Sequence, residues 1–282
     1  MEASAQMIGA RQMGVQAHCL RFEIQKGLEQ TLAQVSRLGL AAIELVRFPG
    51  CRGNRWGDFG AATDRSAREI GAAVRSAGLV CPSVMVSADE LTTANMDSTI
   101  EWVRDTGATR LVLTALPSPD PANLRDWTAA FANLNVLGSR MQRSGLRFAF
   151  HPQPSLWSEL DGARLADVLL DTIDPDQCKI EFDPSGAIIY GTDAASYLRK
   201  RPGAFFAMHL RDGMQPPSPV FYQPSEPLGC RYIDWPSLLD AAAQAGIEWY
   251  FLEMEVADPT TTWPAIVKSL QFLKSKRLAQ PH

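Results

Sequence analysis

Ser144-Gly145-Leu146-Arg147-Phe148-Ala149-Phe150-His151 decides the fold. A helical pattern over 124–144 stops at Gly145. Glycine just past a helix end takes the left-handed backbone without a Cβ penalty, so it ends the helix and lets the chain turn back. A short apolar run follows and closes on a histidine. The same joint recurs around Gly39, Gly78, Gly107 and Gly246, each time between a helical pattern and an apolar run. Repetition of one joint predicts βα units in series rather than a sandwich or a helical bundle.

Outward from this stretch, strand-like runs fall at 13–20, 42–46, 80–86, 110–116, 147–151, 179–183, 205–210 and 249–254. Several are apolar throughout rather than alternating, as expected of strands covered on both faces. Helical patterns lie between them at 29–38, 64–77, 95–106, 124–144, 165–173, 194–200, 235–245 and 262–273. Eight such pairs in 282 residues predict an α/β fold, a single (β/α)8 TIM barrel. A doubly wound sheet is the runner-up, but no GxGxxG follows the first run and no P-loop occurs. Residues 1–13 read as a flexible leader, 14–276 as the barrel domain and 277–282 as a tail. The proline-rich 214–227 reads as the loop after the seventh strand, overhanging the barrel mouth.

Composition narrows the function. Hydrophobic residues make up 46% of the chain, enough for a sizeable core. The net charge is −4 with no basic block, which disfavours nucleic acid as a partner. No apolar run approaches the roughly 18 residues that span a bilayer, so no membrane partner is expected. The five cysteines, Cys19, Cys51, Cys81, Cys178 and Cys230, are odd in number and form no CxxC pair. Free, mostly buried thiols in a reducing cytoplasm are the expectation.

Four of the later runs end on chemistry: Phe148-Ala-Phe-His151, Lys179-Ile-Glu-Phe-Asp183, Phe205-Phe-Ala-Met-His209 and Trp249-Tyr-Phe-Leu-Glu253. In a parallel barrel all strand C-termini open onto one face, where catalysis sits. Residues remote in sequence would therefore meet around one site. Each also has a bland reading. Asp183 before Pro184-Ser185 is a natural helix N-cap, His209 could be a satisfied buried histidine, and His151 is the weakest case. Glu253 is the strongest, because an unpaired buried carboxylate is expensive.

The chain resembles the sugar phosphate isomerase/epimerase family of xylose-isomerase-like TIM barrels, from about Gly14 to Lys274. The resemblance is carried by Val15-Gln-Ala-His-Cys-Leu-Arg21, Thr31 to Gly39, Ile43-Glu-Leu45, Gly145 to His151, His209-Leu-Arg-Asp212, Tyr232-Ile-Asp-Trp235 and Gly246 to Glu253. It implies one divalent cation (Mn²⁺, Mg²⁺, Co²⁺ or Zn²⁺), with Asp183, His209 and Glu253 at ligand positions and His151 as fourth ligand or proton partner. It further implies a metal-dependent isomerase or epimerase of a small sugar, sugar phosphate or hydroxy-keto acid, acting through an enediolate. Glu253 would double as acid/base. Arg211, Trp157 and Glu44 are candidates to touch the sugar-like substrate. An inosose-dehydratase-like lyase is a close variant, and a non-catalytic sugar-binding barrel is the alternative outside enzymes. Homo-oligomers are common among similar proteins.

On the residues alone, two carboxylates with imidazole make a mixed O/N site suited to Mn²⁺, Mg²⁺ or Zn²⁺ rather than a thiolate metal. Glu181, two residues before Asp183, would point into the barrel lower down. The chain departs from the family pattern at Gln153 and Met85, where histidines are usual, at Gly186 for tryptophan, at Arg211 for lysine and at Arg231 for glycine.

Overall fold

Gly39, Gly78, Gly107, Gly145 and Gly246 all have positive φ, between 77° and 90°, so the five joints turn as their sequence predicts. They belong to a computed structural model that describes residues 8–48, 65–116, 122–213, 225–230, 233–254 and 259–279. Eight parallel strands close the barrel: β1 Met13–Gln16, β2 Ala42–Arg47, β3 Ser83–Val86, β4 Arg110–Leu113, β5 Arg147–Phe150, β6 Lys179–Phe182, β7 Phe205–Leu210 and β8 Trp249–Leu252. Each pairs with its neighbours in sequence, and β1 closes on β8. This is the (β/α)8 barrel that the repeated joints predict.

The helices fall where periodicity places them, with ends shifted by a few residues: α1 Arg21–Lys26, α2 Leu28–Arg37, α3 Ala67–Ser76, α4 Met96–Thr106, α5 Leu124–Arg143, α6 Leu165–Thr172, α7 Pro184–Ile189, α8 Ala194–Arg199, α9 Trp235–Gln244 and α10 Thr262–Ser275. α2 shows the cause. Leu28, Leu32 and Val35 recur at helical spacing and are buried, while the polar face stays outside. α1, α7 and a small hairpin, Glu159–Leu160 with Ala163–Arg164, escape the sequence reading. A single turn or a two-residue strand has too few positions to show a period.

Two apolar layers result. Outward residues such as Val15, Ile43, Leu111, Phe148 and Ile180 pack against the helices. A small inner cluster of Ala42, Met85, Val112, Ala149, Phe206, Ala207 and Phe251 fills the barrel below the mouth. β7 carries one irregularity. Ile180 pairs with Phe205 but Glu181 pairs with Ala207, so Phe206 has no partner across β6. This bulge lets Phe206 and Ala207 both face inward and sets His209, two residues on, inward as well. Bulges often re-aim side chains beside active sites.

Residues 1–7 and 280–282 lie outside the described residues, but the stretch expected to be a leader is held from Ile8 onward. The Ile8 N–H donates to the Leu278 carbonyl at 2.8 Å, and Ile8 forms a bridge with Ala279. Ile8 and Leu278 are both buried.

Candidate functional site

The inward parity of each strand delivers a polar group to the mouth. Gln16 closes β1, and Glu44 lies beside it on β2 in register. His151 follows β5. The β5–β6 register pairs Phe150 with Ile180, which puts His151 level with Glu181. His209 comes from β7, and Glu253 directly follows β8.

His209 is the centre. It is fully buried, and carboxylates face both of its ring nitrogens. Nδ1 lies 3.0 Å from Glu253 Oε2, and Nε2 lies 3.0 Å from Glu44 Oε2. Glu181 Oε2 is 3.4 Å from the same Nε2 and 3.2 Å from His151 Nδ1. The two imidazole rings are 4.8 Å apart, centroid to centroid. Ser83 Oγ donates to the other oxygen of Glu44. Gln16 completes the wall, its amide Nε2 pointing at Met85 Sδ at 3.0 Å.

Electrostatics follow from this crowding. Burial pushes the His209 imidazolium down, but Glu181, Glu253 and Glu44 outweigh it and hold the ring well above its ordinary range. Burial raises Glu253, yet its contact with His209 and the nearby Arg211 bring it well below the usual carboxylate range. Glu181 is likewise lowered despite burial, through His209 and His151. Glu44 goes the other way: burial and the adjacent Glu181 push it up to about 8, with His209 pulling against them. Glu253 and Glu181 are thus favoured in their ionised form on either side of His209, which is favoured in its protonated form.

The donor set fits a divalent cation. His151, Glu181 and His209 each offer a ligand atom within 4.8 Å of the others. Both Glu181 oxygens and His151 Nδ1 are buried without an aligned hydrogen-bond partner. Such atoms are costly unless something else satisfies them. Nitrogen and oxygen donors in this mixture suit Zn²⁺ or Mn²⁺.

Asp183 is placed differently. Its Oδ1 accepts from the Ser185 N–H at 2.8 Å and caps α7, while Oδ2 is 3.9 Å from Arg211 Nη1. The N-cap reading of Asp183-Pro184-Ser185 is therefore visible in the structure. Asp212 serves a loop. It accepts from the Gly213 N–H at 2.7 Å, the Gly229 N–H at 2.8 Å and Trp235 Nε1 at 3.0 Å. Glu44 does not pair with Arg47, which binds Glu90 at 2.6 Å instead.

Residues 32–276 match the family described as xylose isomerase-like TIM barrel. The chain belongs to that family. Among solved structures, this xylose isomerase-like barrel is similar to a sugar phosphate isomerase/epimerase from Parabacteroides distasonis, with 19% identity, TM-score 0.76, and 99% of this chain and 97% of that one covered. It is also similar to an L-ribulose 3-epimerase, with 17% identity, TM-score 0.65 and 95% and 94% covered. A protein named IOLI with a bound zinc atom follows at 13% identity, TM-score 0.67 and 94% and 97% covered. At such identities the likeness shows the fold. No curated protein matches the chain in sequence.

Two departures of this xylose isomerase-like barrel have a structural account. Gly186 leaves a gap that the indole of Trp157 fills; a Cβ there would overlap Trp157 Nε1. Trp157 is accordingly buried against Phe182 and Tyr197 rather than open to a sugar. Gln153 is exposed and donates to the Thr114 carbonyl. Arg231 lies outside the described residues. Glu181 is the residue whose weight sequence reading underestimates. Its signal is a second carboxylate at the same parity as Asp183 in an otherwise apolar strand. Among the described residues, no helix is long and apolar enough to cross a membrane.

Proposed function

We propose that this barrel is a divalent-metal-dependent isomerase or epimerase of a small sugar, sugar phosphate or hydroxy-keto acid. One observation carries the reading: His151, Glu181 and His209 gather buried, unaligned ligand atoms at the mouth of a barrel of this family. The isomerase and epimerase names of similar structures support the reaction class. A bound divalent ion would supply Lewis acidity for the charge that develops on a substrate oxygen.

The chain's own groups do the rest. Glu253 stands at the rim in its ionised form, the form that accepts a proton from carbon. It takes the proton next to the substrate carbonyl. The C–H electron pair moves into the new carbon–carbon double bond, and the carbonyl pair moves onto oxygen, giving an enediolate. Return of the proton to the neighbouring carbon, with the hydroxyl proton passing to the other oxygen, isomerises the sugar; epimerisation instead takes a proton from solvent on the opposite face, the abstracted one staying on Glu253. Arg211, whose Nη1 lies 3.9 Å from Asp183 Oδ2, would hold an oxygen of the substrate. The closed inner cluster beneath keeps water from rising through the barrel.

Incubation with Mn²⁺ and a panel of ketoses in D₂O tests this. Deuterium should enter the carbon next to the carbonyl of at least one ketose, and Glu253→Gln should slow its entry by about 10²–10⁴-fold. No deuterium in any sugar would overturn the reading.

A further inference from the structure

The family resemblance places the strand-six ligand at the strand end, on Asp183. The geometry points elsewhere. We infer that the divalent ion of this barrel sits one rung lower, on His151, Glu181 and His209, leaving Asp183 to cap α7 and Glu253 to orient His209. This inference rests on the proposed metal dependence and specifies its seat.

Three independent features converge on it. The first is height. Glu181 and Asp183 share an inward parity but differ by two residues, ~6–7 Å along the strand. Register sets His151 level with Glu181, not with Asp183. Across β6 and β7 the register pairs Phe182 with Met208 and so sets His209 level with Asp183, yet its Nε2 lies 3.4 Å from Glu181 Oε2.

The second is satisfaction. Both Glu181 oxygens are buried without an aligned partner, and so is Nδ1 of His151. Asp183 is already employed: one oxygen holds the Ser185 N–H at 2.8 Å and the other faces Arg211 at 3.9 Å. An ion at Glu181 engages atoms whose 3.2 and 3.4 Å contacts with His151 and His209 are not aligned hydrogen bonds, whereas an ion at Asp183 would have to compete with the cap and with a guanidinium.

The third is orientation. A metal-bound histidine commonly donates its second N–H to a carboxylate, which fixes the ring and its tautomer. Glu253 Oε2 lies 3.0 Å from His209 Nδ1, the arrangement that leaves Nε2 as the ligand atom. Nε2 is the nitrogen that faces Glu181. Glu253 is then a positioning residue for the ion, and its second oxygen stays available for proton transfer. Glu44, on the same Nε2, yields that contact when the ion enters and remains bound to Ser83.

The test compares metal retention rather than turnover. Wild type, E181Q and D183N are loaded with Mn²⁺ or Zn²⁺ and dialysed. Bound metal is measured by elemental analysis and affinity by calorimetry, with circular dichroism checking the fold. E181Q should lose more affinity than the roughly 10–100-fold typical of outer-shell changes, and D183N less than about tenfold. The Co²⁺ visible spectrum should change in E181Q and stay in D183N. A crystal of the wild type grown with Mn²⁺ needs no variant to fold: the ion should lie within about 2.0–2.3 Å of a Glu181 oxygen. An ion bound instead through Asp183, or metal lost from D183N and kept by E181Q, overturns the seat but leaves the proposed function standing. No metal on the wild type removes both.

Discussion

At the scale of single residues, His209 and Glu253 form the pair on which the centre depends. Glu253→Ala leaves the buried Nδ1–H of His209 without its acceptor, which costs about 1–3 kcal/mol. Glu253→Gln keeps a carbonyl oxygen in nearly the same place and should cost less. Urea unfolding of both variants without added metal checks the order. If the glutamine variant proves as unstable as the alanine one, charge rather than the hydrogen bond holds the ring. Much of this centre is legible in the order of amino acids alone. His151, His209, Glu253 and Glu44 each close or interrupt an apolar run, and a polar group there is conspicuous. Glu181 is harder to rank against Asp183. A strand end can be read from one chain. The height at which neighbouring strands meet depends on pairing and on the Phe206 bulge, and neither leaves a local trace.

At the scale of elements, glycines decide how closely the helices approach the chain. Gly138 lies inside α5, nearer its C-terminal end, where alanine would ordinarily be favoured by about 1 kcal/mol of helix propensity. Here a Cβ would overlap the backbone carbonyl of Gln177. Overpacking of this kind costs about 1–3 kcal/mol. The clash should win, so Gly138→Ala should lower the melting temperature, by about 2–4 °C per kcal/mol lost. A variant as stable as the parent would show that α5 can slide without penalty. The joint glycines are easy to recognise because their signal is local: a helix stops, φ turns positive and a strand begins. Gly138 carries no such signature, since what it avoids lies on a distant part of the chain.

At the scale of the molecule, closure of the barrel seals three thiols among the described residues. Cys19, Cys81 and Cys178 are buried, whereas Cys230 is exposed. Burial pushes Cys81 up to about 12 and Cys178 higher still, so neither forms the reactive thiolate at ordinary pH. Alkylation in native buffer should therefore modify Cys230 and spare Cys81 and Cys178. Those two should react only as the whole barrel opens, at a rate that follows global unfolding. Mass spectrometry of the labelled peptides reads this directly, and fast labelling of Cys178 would mean that the floor opens locally. The pairing of Ile8 with Ala279 has a practical counterpart. Helices run antiparallel to the strands, so the end of α10 and the approach to β1 both lie on the barrel floor, away from the mouth. Tethering the protein to a bead by either end should leave its catalytic side facing the solution. A short linker joining the two ends, with a new opening cut in an exposed loop, should give a circular permutant with the same pocket.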